Sequence, residues 1–315
     1  MKNKIAIASA FIAASSFSFA EIALTESLSV EGFIDTSYND ASGAGRDNDA
    51  SLNVNEVEVS FLFDAGAVSA RIDTQYKYSE AADAFVGEID QAFISYDVYG
   101  GTVSVGGIDS QLGYEAFEAP GLYTNSFAYG TDNLGDSTSQ LPGTDIAINY
   151  TRQLDEVSSL GVSLVDNGSF IGDEGLRDIA NELGGDTVIE VAYGRDLGNG
   201  LGAFAGYRSD VDGNDLLNAY VTYETGAFTF AAEVVDGENE TDLQLLANYA
   251  YAANASVTVR YTQEEDGLAT GNDLDILTIS HQLALADNLC LTTEIRDNGQ
   301  DDEEHEFSVG ALFTF

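Results

Sequence analysis

The chain has 315 residues, a formal net charge of −43 and a hydrophobic share of 44%, with 32 glycines and only two prolines. So large an acidic excess repels nucleic acid and other polyanions and excludes them as partners. The hydrophobic share excludes a disordered acidic tail, and a single cysteine, Cys290, excludes an internal disulfide.

Residues 1–20 read as a cleaved secretory signal. Lys2 and Lys4 precede an apolar stretch from Ile5 to Ala14, and the small residues Ser18 and Ala20 sit at cleavage-site spacing. The apolar stretch is too short to span a membrane. The remainder, 21–315, reads as one domain.

Beyond the signal, period two dominates. Val68, Ala70, Ile72, Thr74, Tyr76 and Tyr78 alternate with Ser69, Arg71, Asp73, Gln75 and Lys77. An extended strand therefore presents one lipid-compatible face and one water-compatible face. The same alternation predicts sixteen strands, near 28–38, 52–64, 68–79, 88–99, 102–110, 143–154, 157–166, 186–196, 201–210, 215–225, 227–236, 241–251, 255–264, 273–283, 288–297 and 305–315. Their connections alternate between short turns and longer loops rich in Asp, Asn and Gly. Short turns at one rim and long loops at the other, on an even number of strands, predict an all-β fold: a transmembrane antiparallel up-and-down β-barrel of about 16 strands. Fourteen and eighteen strands are the near alternatives. The run from Glu174 to Leu183 reads as a short helix within its loop.

Tyrosine and phenylalanine fall at strand ends and predict two aromatic girdles. Tyr38, Tyr76, Tyr78, Tyr207 and Tyr261 belong to the outer rim. Tyr96, Tyr150, Tyr193, Tyr223, Tyr249, Tyr251, Phe313 and Phe315 belong to the periplasmic rim. The last strand, EFSVGALFTF, places Phe307, Val309, Ala311, Phe313 and Phe315 on one face.

The alternation stops for about thirty residues from Gln111 to Pro142, a stretch that holds both prolines, Pro120 and Pro142. A connection this long without regular pattern is often functional. It follows the fifth strand as the third outer loop and is expected to fold into the lumen. Its acidic residues are Glu115, Glu118, Asp132 and Asp136. Alternation places Arg71, Lys77, Arg208, Arg260 and Arg296 on the inner wall, with Asp73, Glu190, Glu224, Glu233 and Glu294 beside them. A basic wall facing an acidic loop sets a transverse field, and a charged lining conducts hydrated solutes. The acidic excess favours cations. The same charges also serve simply to solvate a wet lumen and pair across strands.

Other chemistry is poorly supported. His281 and His305 are the only histidines and no serine carries a nucleophile motif, so neither an enzyme nor a cofactor is expected. Asp210, Asp212, Asn214 and Asp215 crowd oxygen ligands into one loop as a weak metal candidate. They lack the full ligand set of a calcium loop, and an ordinary surface turn explains them as well. Acidic outer loops collectively suit divalent cations bridging to lipopolysaccharide.

The segment EIDQAFISYDVYGGTVSVGGIDSQLGYEAFEAPGLYTNSFAYG, with FLFDAGAVSARIDTQY before it, resembles Gram-negative outer-membrane porins, and in particular the OmpL-like β-barrel porin group. The likeness rests on a strand, a tight turn and a second strand leading into an LG-x-E-type loop rich in aromatics: Leu112, Gly113, Tyr114 and Glu115, then Tyr123 and Phe127. It implies a channel in the cell outer membrane for passive diffusion of small hydrophilic solutes and ions, in contact with outer-membrane lipid and lipopolysaccharide, and assembled as a homotrimer. It also implies a third loop that narrows the pore, with Glu115 and Glu118 facing Arg71 and Lys77. The wall is sparser in arginine than in general porins. Two rival functions remain. One is a plugged structural or adhesive surface barrel whose acidic loops bind divalent cations or envelope components. The other is a substrate-specific channel with Tyr114, Tyr123 and Tyr129 as a stacking surface.

Overall fold

The computed structural model describes residues 21–42, 50–79, 84–115, 118–129, 140–169, 187–209, 215–237, 240–267, 272–297 and 305–315. The signal segment 1–20, the helix expected within Glu174 to Leu183, and Asp132, Asp136, Asp210, Asp212 and Asn214 lie outside them.

The strands are β1 (Ile22–Ala23), β2 (Leu28–Ser42), β3 (Ser51–Asp64), β4 (Val68–Ser79), β5 (Ala84–Val98), β6 (Gly101–Asp109), β7 (Thr144–Gln153), β8 (Ser158–Ser169), β9 (Thr187–Gly198), β10 (Leu201–Arg208), β11 (Leu216–Thr225), β12 (Phe228–Asp236), β13 (Thr241–Ala252), β14 (Ala255–Gly267), β15 (Asn272–Ala286), β16 (Leu289–Asp297) and β17 (His305–Thr314). Sixteen of them, β2 to β17, are the sixteen that the alternation predicts. The two-residue β1 is an addition and pairs with β2 through Ile22↔Val30.

Each barrel strand pairs antiparallel with its neighbours in sequence. The sheet closes where β17 meets β2, from His305↔Ser42 to Thr314↔Phe33. Phe315 seals this seam, exchanging backbone hydrogen bonds with Gly32 at 2.8 and 2.9 Å. Among the described residues, closure leaves none of the sixteen barrel strands with an unpaired edge, which a sheet immersed in hydrocarbon requires. Tyr99 and Gly100 both adopt positive φ, 52° and 75°, and make the tight turn between β5 and β6. Such two-residue turns match the twist of the strands they join.

Burial is inverted relative to a water-soluble protein. Ile94, Val105, Ile148, Leu217, Val221, Leu245, Ile279 and Ile295 are exposed on the outer face, whereas Glu58, Asp73, Gln244, Arg260, Thr278 and Glu294 are buried inside. Of the girdle residues, Tyr38, Tyr76, Tyr96, Tyr207, Tyr223, Tyr249, Tyr251 and Phe313 are exposed outward. Among the described residues no helix is long and apolar enough to cross a membrane, and the crossing elements of this architecture are strands.

Of the register shifts among the described residues, two lie on the wall formed by β2 to β5. Along β5, Ile89 pairs with Thr74 and Gln91 with Asp73, leaving Asp90 as the extra residue. Along β3, Val54 pairs with Thr36 and Glu56 with Asp35, leaving Asn55. Bulges of this kind re-aim side chains. Here Gln75 Nε2 donates to Asp90 Oδ1 at 2.8 Å and Asn55 Nδ2 donates to Asp35 Oδ2 at 2.8 Å.

Candidate functional site

The long connection between β6 and β7 folds inward. It is built along the wall of the later strands by a succession of polar anchors. Ser110 Oγ and the Gln111 amide both donate to Glu190 of β9, at 2.7 and 2.9 Å. The Gly113 amide donates to Asn218 of β11 at 3.0 Å, and the Tyr114 amide to Glu233 of β12 at 2.8 Å. Glu115 Oε2 accepts from Gln244 Nε2 of β13 at 2.6 Å and Arg260 Nη1 of β14 at 2.8 Å. Gln282 of β15 donates to the Leu122 carbonyl at 3.2 Å. The Asn125 amide donates to Glu294 of β16 at 2.7 Å, and its side chain to Ser308 of β17 at 3.1 Å. An unpaired buried amide is costly, so a wall of inward carboxylates and amides is what lets an irregular segment lie inside a barrel.

Apolar contacts fill the gaps between these anchors. Leu112, Ala128, Tyr129 and Leu141 of the loop pack on Leu216 and Val235 of the wall. Tyr114 and Tyr123 pack on Tyr220, Ala231 and Leu246. Two inner-wall glycines permit the close approach: a Cβ on Gly206 would lie 2.2 Å from Leu112 Cδ2, and one on Gly310 would lie 2.0 Å from Asn125 Oδ1. Tyr114, Tyr123 and Tyr129 are all buried. They are docking residues, and a solute-stacking surface built from them is corrected by that burial.

The predicted site residues separate into two groups. Glu115 does not face Arg71; it is buried in an ion pair with Arg260, beneath the loop. Arg260, 0% exposed, also donates to Thr124 Oγ1, Ser126 Oγ and the carbonyls of Ser126 and Phe127. Arg296 is buried to 1% exposure. Arg208 pairs with Asp145 at 2.7 Å and lies 3.7 Å from Glu190.

Arg71 and Lys77 are different. Their side chains retain 28% and 38% exposure on the wall formed by β2 to β5. Arg71 binds Asp73 at 2.6 Å and Glu31 at 3.4 Å, and Lys77 lies 3.5 Å from Glu56. Glu118 is the loop residue on this side, with carboxylate oxygens of Glu58, Asp90 and Glu118 all within 4.8 Å of one another. Withdrawal from water pushes the Glu118 carboxyl up; Arg71 pulls it back, and Asp109, Asp73 and Asp90 push it further up.

Among the described residues, the wall formed by β2 to β5 therefore sets the half-buried acids Glu31, Glu88 and Asp90, with Glu118 of the loop beside them, against Arg71 and Lys77, while Glu56, Glu58 and Asp73 are buried behind them. A cavity of about 500 Å³ opens on the short-turn side of the loop, lined by Tyr123, Asn248, Ser256, Gln282 and Asp287. Of the remaining candidates, Asp215 accepts from Tyr207 at 2.7 Å and His305 lies 3.7 Å from Asp297. His281 meets Tyr251 OH at 2.6 Å at the short-turn end of β15.

In the sequence the anchors Glu190, Asn218, Glu233, Gln244 and Glu294 look like ordinary polar lining, and nothing groups them as a set. The apolar contacts between them do leave a signal, the doublets Leu216–Leu217, Val234–Val235 and Leu245–Leu246. Within each doublet one residue, Leu217, Val234 or Leu245, is exposed on the outer face and the other, Leu216, Val235 or Leu246, is buried inside.

No family model matches the chain, and no curated protein matches it in sequence. Solved structures match its fold. OmpF of Salmonella typhi, in complex with daunomycin, superposes with a TM-score of 0.69 at 11% identity, over 94% of this chain and all of that one. A triple mutant of the Rhodopseudomonas blastica porin superposes with a TM-score of 0.62 at 17% identity, over 91% of this chain and all of that one. At these identities the likeness defines a class of fold, the sixteen-stranded barrel of general bacterial porins. The resemblance to the narrower OmpL-like group has no counterpart among these structures.

Proposed function

We propose that this chain is an outer-membrane porin of a Gram-negative bacterium, exported through a signal at residues 1–20. It forms a water-filled channel for passive diffusion of small hydrophilic solutes and ions, and it favours cations. The observation that carries the preference is the distribution of charge. Two of the inner-wall bases, Arg260 and Arg296, are buried, and Arg208 is engaged with Asp145 and Glu190. On the wall formed by β2 to β5 the groups that keep some water contact are the acids Glu31, Glu88, Asp90 and Glu118 around Arg71 and Lys77. A ring of fixed negative charge concentrates cations and excludes anions in a narrow aqueous path. In this reading Glu118, Arg71 and Lys77 line the constriction, Asp73 is buried and holds Arg71 rather than lining the path, Asp132 and Asp136 add loop charge, and Glu115 holds the loop in place.

The fold class also supports a homotrimer embedded in outer-membrane lipid and lipopolysaccharide. Reversal potentials of the reconstituted protein in a KCl gradient, with chelator present, test the proposal. A potential of the cation-selective sign is expected. Anion selectivity refutes the preference, and a folded protein with no conductance refutes the channel.

A further inference from the structure

We propose that Glu58, Asp90 and Glu118 form a calcium site that joins the inward loop to the opposite wall of the barrel. The three carboxylates come from separate elements: β3, the bulge of β5 and the loop. They lie within 4.8 Å of one another. A Ca²⁺ ion held at about 2.3–2.6 Å from each oxygen spans that separation, whereas Mg²⁺, at about 2.0–2.1 Å, spans less. Three hard oxygen ligands of this kind select a hard cation over a transition metal.

A second observation points to a ligand. Glu58 is 1% exposed, and its Oε2 is a buried oxygen with no hydrogen-bond partner. Its Oε1 accepts from Ser60 at 3.1 Å and lies 4.0 Å from Arg71 Nη2. A buried carboxylate oxygen left unmatched is expensive. The cations of this wall do not resolve it, because each has a closer carboxylate: Asp73 for Arg71 and Glu56 for Lys77. Gln75 supplies one hydrogen bond to Asp90 Oδ1 and another to Glu88. A divalent cation satisfies Glu58 Oε2 and relieves the repulsion among three neighbouring carboxylates together. Asp90 and Glu118 are only half-buried, so an ion has a path from the water of the lumen.

The site deepens the channel reading without depending on the ion preference. Bound Ca²⁺ neutralises part of the acidic wall and ties the loop at Glu118 to the strands opposite its other anchors.

The test is calorimetric titration of the folded, chelator-stripped protein in detergent with CaCl₂, for wild type, Glu58→Gln, Asp90→Asn and Glu118→Gln. Asp297→Asn, an exposed acid away from the lumen, serves as control. Wild type and control are expected to show one saturable site per chain above the weak background of the outer loops. Each cluster variant is expected to bind Ca²⁺ at that site at least about tenfold more weakly. Should Glu58→Gln fail to fold, Glu118→Gln decides, because it lies in the loop and leaves the strands intact. Coincident isotherms for wild type and Glu118→Gln overturn the site, as does a wild type without a stoichiometric site. Reversal potentials separate this from the ion preference: Ca²⁺ is expected to reduce cation selectivity in wild type and leave Glu118→Gln unmoved. Anion selectivity measured in chelator refutes the preference and leaves the isotherms to judge the site.

Discussion

Arg260 is the residue on which the inward loop depends most. It binds Glu115 at 2.8 Å with neither side chain in contact with water, and the same guanidinium holds Thr124, Ser126 and Phe127. Removing one partner of such a pair strands a charge where nothing else can solvate it. Arg260→Met is therefore expected to destabilise the folded protein by about 3–5 kcal/mol, read as a lowered unfolding midpoint in detergent. The double variant Arg260→Met, Glu115→Leu removes both charges and is expected to recover most of that loss, the excess over additivity measuring the pair. A double variant no more stable than the single one would mean that Arg260 acts through the other loop contacts alone. Period two places Arg260 on the inner wall, and the broken pattern places Glu115 in the loop. Nothing in either signal joins two residues 145 positions apart. That pairing depends on which way the loop turns inside the barrel.

At the scale of elements, the sixteen strands were legible because each repeats a single rule, apolar outside and polar inside. The structure lengthens several of them. β2 runs on to Ser42, β5 begins at Ala84 and β15 reaches Ala286. The loop's existence was legible from the interruption of that rule, but its route was not, since the anchors belong to wall strands and look like ordinary polar lining. Inner glycines carry part of the information. Gly206→Val is expected to collide with Leu112 and displace the loop, costing about 1–3 kcal/mol and changing single-channel conductance while the barrel still folds. Unchanged conductance would show that the loop does not limit the pore near Leu112. Deleting 111–142 is a stronger test. Asp109 pairs with Thr144, and the Ser110 amide donates to the Gly143 carbonyl at 3.1 Å, so the two ends are already side by side for a short turn to join. The shortened chain is expected to conduct more. It is also expected to be less stable, because Leu216, Val235 and Leu246 lose their cover at up to about 1.5–3 kcal/mol each.

The whole molecule is an inside-out protein, and its solvent can be read from the depth at which a charge is tolerated. β15 states the contrast within a few residues: Thr278 and Ser280 are buried inside, while Ile279 and Leu285 are exposed outside. Ile279 lies midway along the strand and pairs with Ile295, itself exposed on the same face. Leu285 lies by the short turn at its end. Were the outer face in water, arginine at either position would cost a similar few tenths of a kcal/mol at most. In a bilayer the two differ. Ile279→Arg places a cation near the hydrocarbon midplane and is expected to cost about 2–4 kcal/mol, whereas Leu285→Arg reaches the headgroups and is expected to cost about 0–1 kcal/mol. Reversible denaturant titrations of both variants in phospholipid vesicles measure the difference. A clear gap identifies the apolar outer belt as lipid-facing, and equal values would mean that something other than a bilayer covers this face.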